Sequence, residues 1–442
     1  MGSASGPGLF TDLYELKMVQ AYLAEGMTAT AVFELFFRDL PPGRNFVLAA
    51  GLDDVLDYLE DLRFGPEELD WLAHEGLVSD EALVGLARLR FTGDVWAVPE
   101  GTVVFPNEPL VQVVAPVAEA QLVETFVMNQ VHVQSVIATK AARLVLAAEG
   151  TPVVDFGSRR THGVDAAIKV ARASYLAGAV GTSNVLGSYR YGMPAVGTMA
   201  HSYVQAHDGD LDAFSAFTRS FPDTTLLVDT YDTLEGVDAV VDLAERLGER
   251  FRVSAIRLDS GDLEALSRAA RRRLDAAGLG AVEIFASGGL DEYRIRSLVR
   301  GDAPIDGFGV GTELSVSRDA PALELVYKLV EYDGVPRFKR SARKQLLPGR
   351  KQVTRVARDG TFAHDVVGLF DEPADGESLL HEAMRAGRRT PAGGATLTDA
   401  RVRAASQLCA LPEHLRELDD ASPPFQVTTS PGLEQLREAV CP

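Results

Sequence analysis

Cysteine is nearly absent from this chain of 442 residues, and the two present, Cys409 and Cys441, form neither a CxxC pair nor a zinc spacing. Neither a disulfide scaffold nor a cysteine metal knuckle organises the fold, and the usage fits a reducing cytoplasm. Positive charge is also scarce. Lys plus Arg number 43 against 63 Asp plus Glu, a formal net charge of −20, which argues against general binding to nucleic acid or an anionic membrane. No run approaches eighteen uninterrupted apolar residues, so no membrane-crossing helix is expected. The start, Met1-Gly2-Ser3-Ala4-Ser5-Gly6, lacks the basic and then apolar stretches of a secretion signal. What is present is 46% hydrophobic residues, enough for a large core and two or three domains. A site for an anionic substrate must then be locally basic.

Residues 1–127 mix helical segments such as Asp12 to Leu23 with strand-like runs such as 31–37 and 101–105, and read as an N-terminal α/β domain. From about 150 the pattern changes to short apolar runs, each ending in Gly, Ser, Thr or Asp, separated by amphipathic stretches. Seven candidate parallel strands result, at 153–157, 178–182, 195–198, 226–230, 254–259, 283–287 and 307–312. Between them Val237, Val240, Val241, Ala244 and Leu247, and Leu263, Leu266, Ala270 and Leu274, recur at helical spacing. The expectation is an irregular (β/α) barrel over 128–330, favoured over an open doubly wound sheet because phosphate-type loops fall on the last strands. Beyond 330 the alternation stops, and 331–442 reads as a C-terminal domain.

Strand ends of a barrel carry its chemistry. Gly197-Thr198-Met199-Ala200-His201-Ser202 follows an apolar run and places His201 where a buried strand opens into a loop. A neutral imidazole there can be base, ligand or nucleophile, or only a satisfied polar group. Ser287-Gly288-Gly289 and Gly309-Val310-Gly311-Thr312 offer backbone amides without Cβ obstruction, as phosphate cradles or as plain turns. In Arg257-Leu258-Asp259-Ser260-Gly261-Asp262, Arg257 and Asp259 point the same way, one to grip an anion and the other a magnesium ion or sugar hydroxyl. The alternative makes Asp259 the cap of the helix near Leu263 and Arg257 its ion-pair partner. In Asp155-Phe156-Gly157-Ser158-Arg159-Arg160, Phe156 could stack on a planar ring or belong to the core, and Arg159 could bind phosphate or carboxylate. From Gly334 to Arg358 there is no Asp or Glu, while Arg337, Lys339, Arg340, Arg343, Lys344, Arg350, Lys351, Arg355 and Arg358 all occur. A polyphosphate substrate accounts for that run better than nucleic acid, since Phe338 is the sole interleaved aromatic; a solvated basic face is the plainer alternative.

Taken together, Thr11-Asp12-Leu13-Tyr14, Phe33-Glu34-Leu35-Phe36-Phe37-Arg38 and the motifs at 155–160, 197–201 and 257–262 resemble nicotinate phosphoribosyltransferase, in order and from about residue 9 to the C-terminal region. The resemblance implies an N-terminal α/β domain, an irregular barrel, a C-terminal extension and a homodimer with shared active sites. It implies joining of nicotinate to 5-phosphoribosyl 1-diphosphate, with ATP as co-substrate hydrolysed through a phosphohistidine, in NAD salvage. Carried over by position, His201 is the phosphorylated residue, with His162 in reserve; Tyr14 and Thr198 contact nicotinate, Arg257 its carboxylate, and Thr312 the 5-phosphate. Phe156 and Arg159 match the stacking aromatic and anion-binding arginine of the related nicotinamide enzyme, in which the match of Arg38 reaches across the dimer. That relative carries aspartate at the position of Ser183, whose hydroxyl here suits an acid rather than an amide.

Nicotinate nitrogen already bears a lone pair, so attack on the anomeric carbon needs no general base, only an in-line ring and stabilised charge. Magnesium would neutralise the departing diphosphate, held by Asp259 and also by Asp229. A sugar-phosphate aldolase or isomerase would share the glycine loops but would need a strand-end lysine or a proton-abstracting acid, and the seven runs contain no such lysine. A non-enzymatic binder of the ring would have no reason to combine His201 with the basic run.

Overall fold

The computed structural model of the chain describes residues 7–339 and 346–440, and these divide into two compact units. One comprises 140–321; the other combines 1–139 with 322–442. The seams at 139/140 and 321/322 differ from the expected boundaries at 127/128 and 330/331, and the first falls inside helix Glu124–Ala147. No described helix is long and apolar enough to cross a membrane.

The unit 140–321 is built on a curled, wholly parallel sheet of six strands, in the order Gly181–Thr182, Val153–Asp155, Gly307–Val310, Glu283–Ala286, Ala255–Leu258, Thr225–Leu227. The third of the seven expected strands, 195–198, is reduced to one parallel bridge from Ala195 to Thr182, and Pro194 and Ala195 are exposed. So His201 does not follow a buried strand. Met193 and Met199 are the buried residues there, and the rest of the segment leading to the first turn of the short helix His201–Gln205 is exposed or half-buried.

The βα alternation has local causes. Asp232, Asp262 and Asp291 each accept from backbone N–H groups two or three residues on, starting helices Thr233–Leu247, Leu263–Ala276 and Glu292–Arg300. Helix Thr233–Leu247 buries Gly236, Val237, Val240 and Leu243, a stripe slightly rotated from the expected one, leaving Val241, Ala244 and Leu247 half-buried. Gly236 explains the rotation: a Cβ there would sit 2.0 Å from the Val228 carbonyl oxygen, so only glycine lets this helix lie so close to its strand. Inside this unit Lys140 pairs with Glu292 and with Asp319 (2.8 Å), and Arg143 with Glu292 (2.9 Å). Those contacts compensate a fully buried carboxylate.

In the other unit, both ends of the chain enter one seven-stranded sheet. Thr30–Phe37 pairs antiparallel with Val111–Pro116 on one side and with Leu325–Tyr332 on the other, and His381–Arg385 pairs with Asp94–Ala97. Strands Lys351–Arg358 and Thr361–Leu369 form the centre of a second, four-stranded sheet. Helix Leu13–Ala24 begins after Asp12, within one residue of the expected helix.

Candidate active site

The expected strand-end residues of unit 140–321 converge through specific contacts. Asp155 closes its strand fully buried. Its carboxylate accepts from Gly157 N–H and from the Thr182 hydroxyl of the neighbouring strand, both at 2.7 Å. Burial raises its pKa, and those two donors oppose the rise. Thr182 Oγ1 in turn accepts from Asn184 N–H, and Ser183 N–H donates to the Asp155 carbonyl at 2.8 Å. Ser183 is thereby fixed beside the Asp155 strand. Phe156, next in the chain, is half-buried, while Arg159 and Arg160 are exposed in a short turn, as is His162.

Arg257 donates from Nη1 to Thr198 Oγ1 at 2.6 Å, joining two motifs 59 residues apart. Its Nε is buried without a protein partner. Burial lowers its pKa, the Asp259 and Asp229 carboxylates oppose that, and Arg159 adds a smaller like-charge effect. The guanidinium thus stands in a dehydrated place with a donor to spare, which is what a bound anion would use.

His201 shares a hydrogen bond between Nδ1 and Thr230 Oγ1 at 3.1 Å, and its Nε2 stands 3.9 Å from Asp259 Oδ2. Asp259 is held in place from two sides: Ser287 Oγ donates to its Oδ1, and its own N–H donates to Asp229 Oδ2 at 2.9 Å. The helix-capping alternative for Asp259 is excluded, because Asp262 is the cap of helix Leu263–Ala276. Asp229 Oδ2 also accepts from Ser260 Oγ at 2.7 Å, whereas Asp229 Oδ1 is buried with no protein donor. The loop after Glu283–Ala286 is compressed against this network: Gly288, at φ +88°, has space for no side chain, since a Cβ would meet the Asp259 carbonyl oxygen at 1.7 Å. Gly289 follows, exposed, at φ +60°. Gly311 and exposed Thr312 lie at the end of Gly307–Val310, where Gly157 admits close packing of Ser315. Gly309, expected in the same phosphate loop, is instead a strand residue.

Tyr14 and Arg38 belong to the other unit. Tyr14 is 45% exposed, and its pKa is pushed up by burial and by the Glu124 and Glu15 carboxylates. Glu15 beside it is buried and accepts from the Thr11 hydroxyl and from Thr125 Oγ1 (2.6 Å) and N–H (3.1 Å); burial nevertheless raises its pKa to about 7. Arg38 lies over the Phe36 ring at 5.4 Å.

The basic run is only partly available to a substrate. Lys351 is buried against Glu34 at 2.8 Å, and Arg355 is buried against Asp365. Arg350 lies 3.5 Å over the Phe370 ring. Lys351 and Arg355 each offset a buried carboxylate, which removes them from phosphate binding, while Arg350 covers an aromatic face. Arg337, Lys339 and Arg358 are exposed, and Arg340, Arg343 and Lys344 lie outside the described residues.

Sequence reading missed Thr230, which fixes the imidazole, and Phe285, whose ring centroid lies 5.8 Å from that of Phe156. Thr230 carried a signal, as the residue after Asp229 at a strand end; Phe285 read simply as an apolar strand position.

Residues 9–132 match the nicotinate phosphoribosyltransferase N-terminal domain, and residues 151–355 match the nicotinate phosphoribosyltransferase family. Nicotinate phosphoribosyltransferase pncB2 of Mycobacterium tuberculosis is 60% identical over 422 residues, covering 96% of this chain and 91% of that protein. Nicotinate phosphoribosyltransferase of Bacillus subtilis is 41% identical over 382 residues, covering 84% and 78%. The crystal structure of human nicotinic acid phosphoribosyltransferase superposes with a TM-score of 0.85 at 29% identity, covering 98% of this chain and all of that one.

Proposed function

The chain belongs to the nicotinate phosphoribosyltransferase family, and from that premise we propose that it joins nicotinate to 5-phosphoribosyl 1-diphosphate, giving nicotinate mononucleotide and diphosphate in NAD salvage, with ATP hydrolysis coupled through a phosphohistidine at His201. The observation that carries the reading is the tie of Arg257 to Thr198 beside the tie of His201 to Thr230 and Asp259, which joins the segment 198–201 to the ends of two strands of one parallel sheet.

In this reading Arg257 pairs with the nicotinate carboxylate, Thr198 and Ser183 supply hydroxyl contacts, and Phe156 stacks on the ring. The ring nitrogen then attacks the anomeric carbon as the bond to diphosphate breaks. Holding the ring in line is the main contribution of the protein, because the nucleophile needs no deprotonation. Arg159 and the backbone amides of Gly288, Gly289, Gly311 and Thr312 serve the phosphate groups, whereas Ser287, whose N–H already donates to the Leu258 carbonyl at 2.8 Å, acts through its hydroxyl on Asp259. When His201 Nδ1 donates to Thr230, Nε2 keeps its lone pair and attacks the γ-phosphorus of ATP; the N–P bond forms and ADP leaves. Water then takes the phosphoryl group as phosphate.

Asp229 and Asp259 suit a magnesium ion that arrives with substrate. Asp229 Oδ1 is a buried acceptor without a donor, yet no cluster of three or more His, Cys, Asp or Glu able to hold a metal occurs among the described residues. Two carboxylates complemented by phosphate oxygens and water is the coordination magnesium favours. When bound, the ion supplies charge neutralisation to the departing diphosphate.

The curled sheet is read as an irregular (β/α) barrel, with residues 1–127, 128–330 and 331–442 as N-terminal, catalytic and C-terminal parts. Tyr14 and Arg38 are assigned to the site of a partner protomer in a homodimer. Low cysteine content and the acidic balance support a cytoplasmic enzyme without nucleic-acid or membrane partners.

The test is purified protein with nicotinate, 5-phosphoribosyl 1-diphosphate, magnesium and γ-labelled ATP. Nicotinate mononucleotide and nicotinate-dependent ADP are expected, and their absence overturns the reading. His201→Asn should abolish labelling of the protein and ATP coupling while slow uncoupled transfer survives. Undiminished labelling in that variant would transfer the acceptor role to His162.

A further inference from the structure

Phe285 faces the same space as Arg257 and Phe156 and has no part in the mechanism above. It is the third residue of Glu283–Ala286, where Ile284 and Ala286 are fully buried and Phe285 only half so. In the parallel register it stands between Arg257 on one neighbouring strand and Gly307 on the other, so the three share one face of the sheet.

Two glycines on the adjoining strand make room for its ring. A Cβ on Gly307 would lie 2.7 Å from the Phe285 ring; on Gly309 it would lie 2.6 Å from the Phe156 ring and 2.9 Å from that of Phe285. Both rings therefore rest on the same bare strip of backbone, with centroids 5.8 Å apart and planes inclined at 44°. Glycine weakens a strand interior, and alternate glycines on one face mark where something must approach closely. Here that something is a pair of aromatic rings beside a buried guanidinium with an unused donor.

We propose that Phe285 is a specificity-determining residue for the ring substrate: it forms the floor against which a planar pyridine carboxylate lies between Arg257 and Phe156, and it limits the bulk of acid admitted. This rests on the nicotinate reading. Van der Waals contact with the floor acts on ground state and transition state alike, so its loss should appear mainly in KM.

The experiment measures kcat and KM for nicotinate, 5-methylnicotinate and 6-methylnicotinate in wild type, Phe285→Leu and Phe285→Ala. In Phe285→Ala the nicotinate KM should rise on the order of tenfold with kcat within about threefold of wild type. The kcat/KM of at least one methylated acid relative to nicotinate should rise about tenfold to two-hundredfold, the range one methyl commands in an apolar pocket. Phe285→Leu should shift that ratio in the same direction by less, and it decides the question if the alanine variant does not fold. A ratio unchanged in folded variants overturns the role of Phe285, since a merely structural residue would lower turnover of all three acids together. A wild type that transfers no phosphoribosyl group to nicotinate overturns the parent reading instead.

Discussion

Gly288→Ala should separate activity from stability. At φ +88° any L side chain strains the backbone by roughly 1–2 kcal/mol. That alone lowers Tm by about 2–8 °C for a unit of this size. The larger effect is steric. The new Cβ would fall 1.7 Å from the Asp259 carbonyl oxygen, and ordinary contact begins at 3.4 Å, so the gap must open by half its final value. The obstacle is backbone and cannot rotate away. Whichever side yields, the Asp259 carboxylate moves relative to Ser287, Asp229 and His201, the groups that define its position. A displacement near 1 Å in a positioned group costs on the order of a hundredfold in rate. Steady-state kcat/KM for nicotinate mononucleotide formation should fall by about that factor in a folded protein. Gly278→Ala is the control: φ is +76°, nothing lies within 4 Å of the added Cβ, and it should show the Tm loss with activity intact. If Gly288→Ala keeps kcat/KM within about threefold of wild type, the geometry of Asp259 does not limit the reaction and the argument from positioning is wrong.

Ser183→Asp should depress nicotinate use more than nicotinamide use by about tenfold to a hundredfold in kcat/KM, because a second carboxylate replaces a donor; equal losses with both substrates would remove Ser183 from the specificity argument. Mixing inactive Tyr14→Ala and Arg257→Ala proteins should restore partial activity through hybrid dimers, and no recovery despite demonstrated subunit exchange would mean that one chain builds the whole site. Glu15 adds a pH dependence. Its folded pKa, about 7, lies above the ordinary 4.5, so the folded state binds the extra proton between those values and stability falls as pH rises through that window. Denaturant titrations should show a decline on the order of 1–3 kcal/mol from pH 5 to 8 that Glu15→Gln abolishes, and an identical slope in both proteins would assign the proton elsewhere.

What the sequence revealed and what it concealed divide along the range of the interactions. Six of the seven expected strands, and the helices at 237–247 and 263–274, rest on apolar spacings a few residues long, and these were legible; the caps Asp232, Asp262 and Asp291 were not, and the sequence offered Asp259 instead as the cap before Leu263. The pairing of Thr30–Phe37 with Leu325–Tyr332 was not, because partners nearly three hundred residues apart leave no local trace and alternating apolar residues fit any sheet neighbour equally well. The same limit governs charge. Lys351 and Arg355 look like surface cations in a basic run until their buried partners Glu34 and Asp365 are seen; Glu34 lay in a run read as a plain strand, and Asp365 in a C-terminal region where no element was read. At the site the residue types were legible and their division of labour was not. Gly309 and Gly311 look alike in Gly309-Val310-Gly311-Thr312, yet the strand ends between them. One glycine clears a bed for two aromatic rings and the other opens the loop, so a single two-residue spacing serves packing and ligand access at once. Only the register of Phe285 with Gly307 distinguishes those roles, and register is a property of strands in pairs, absent from any one of them read alone.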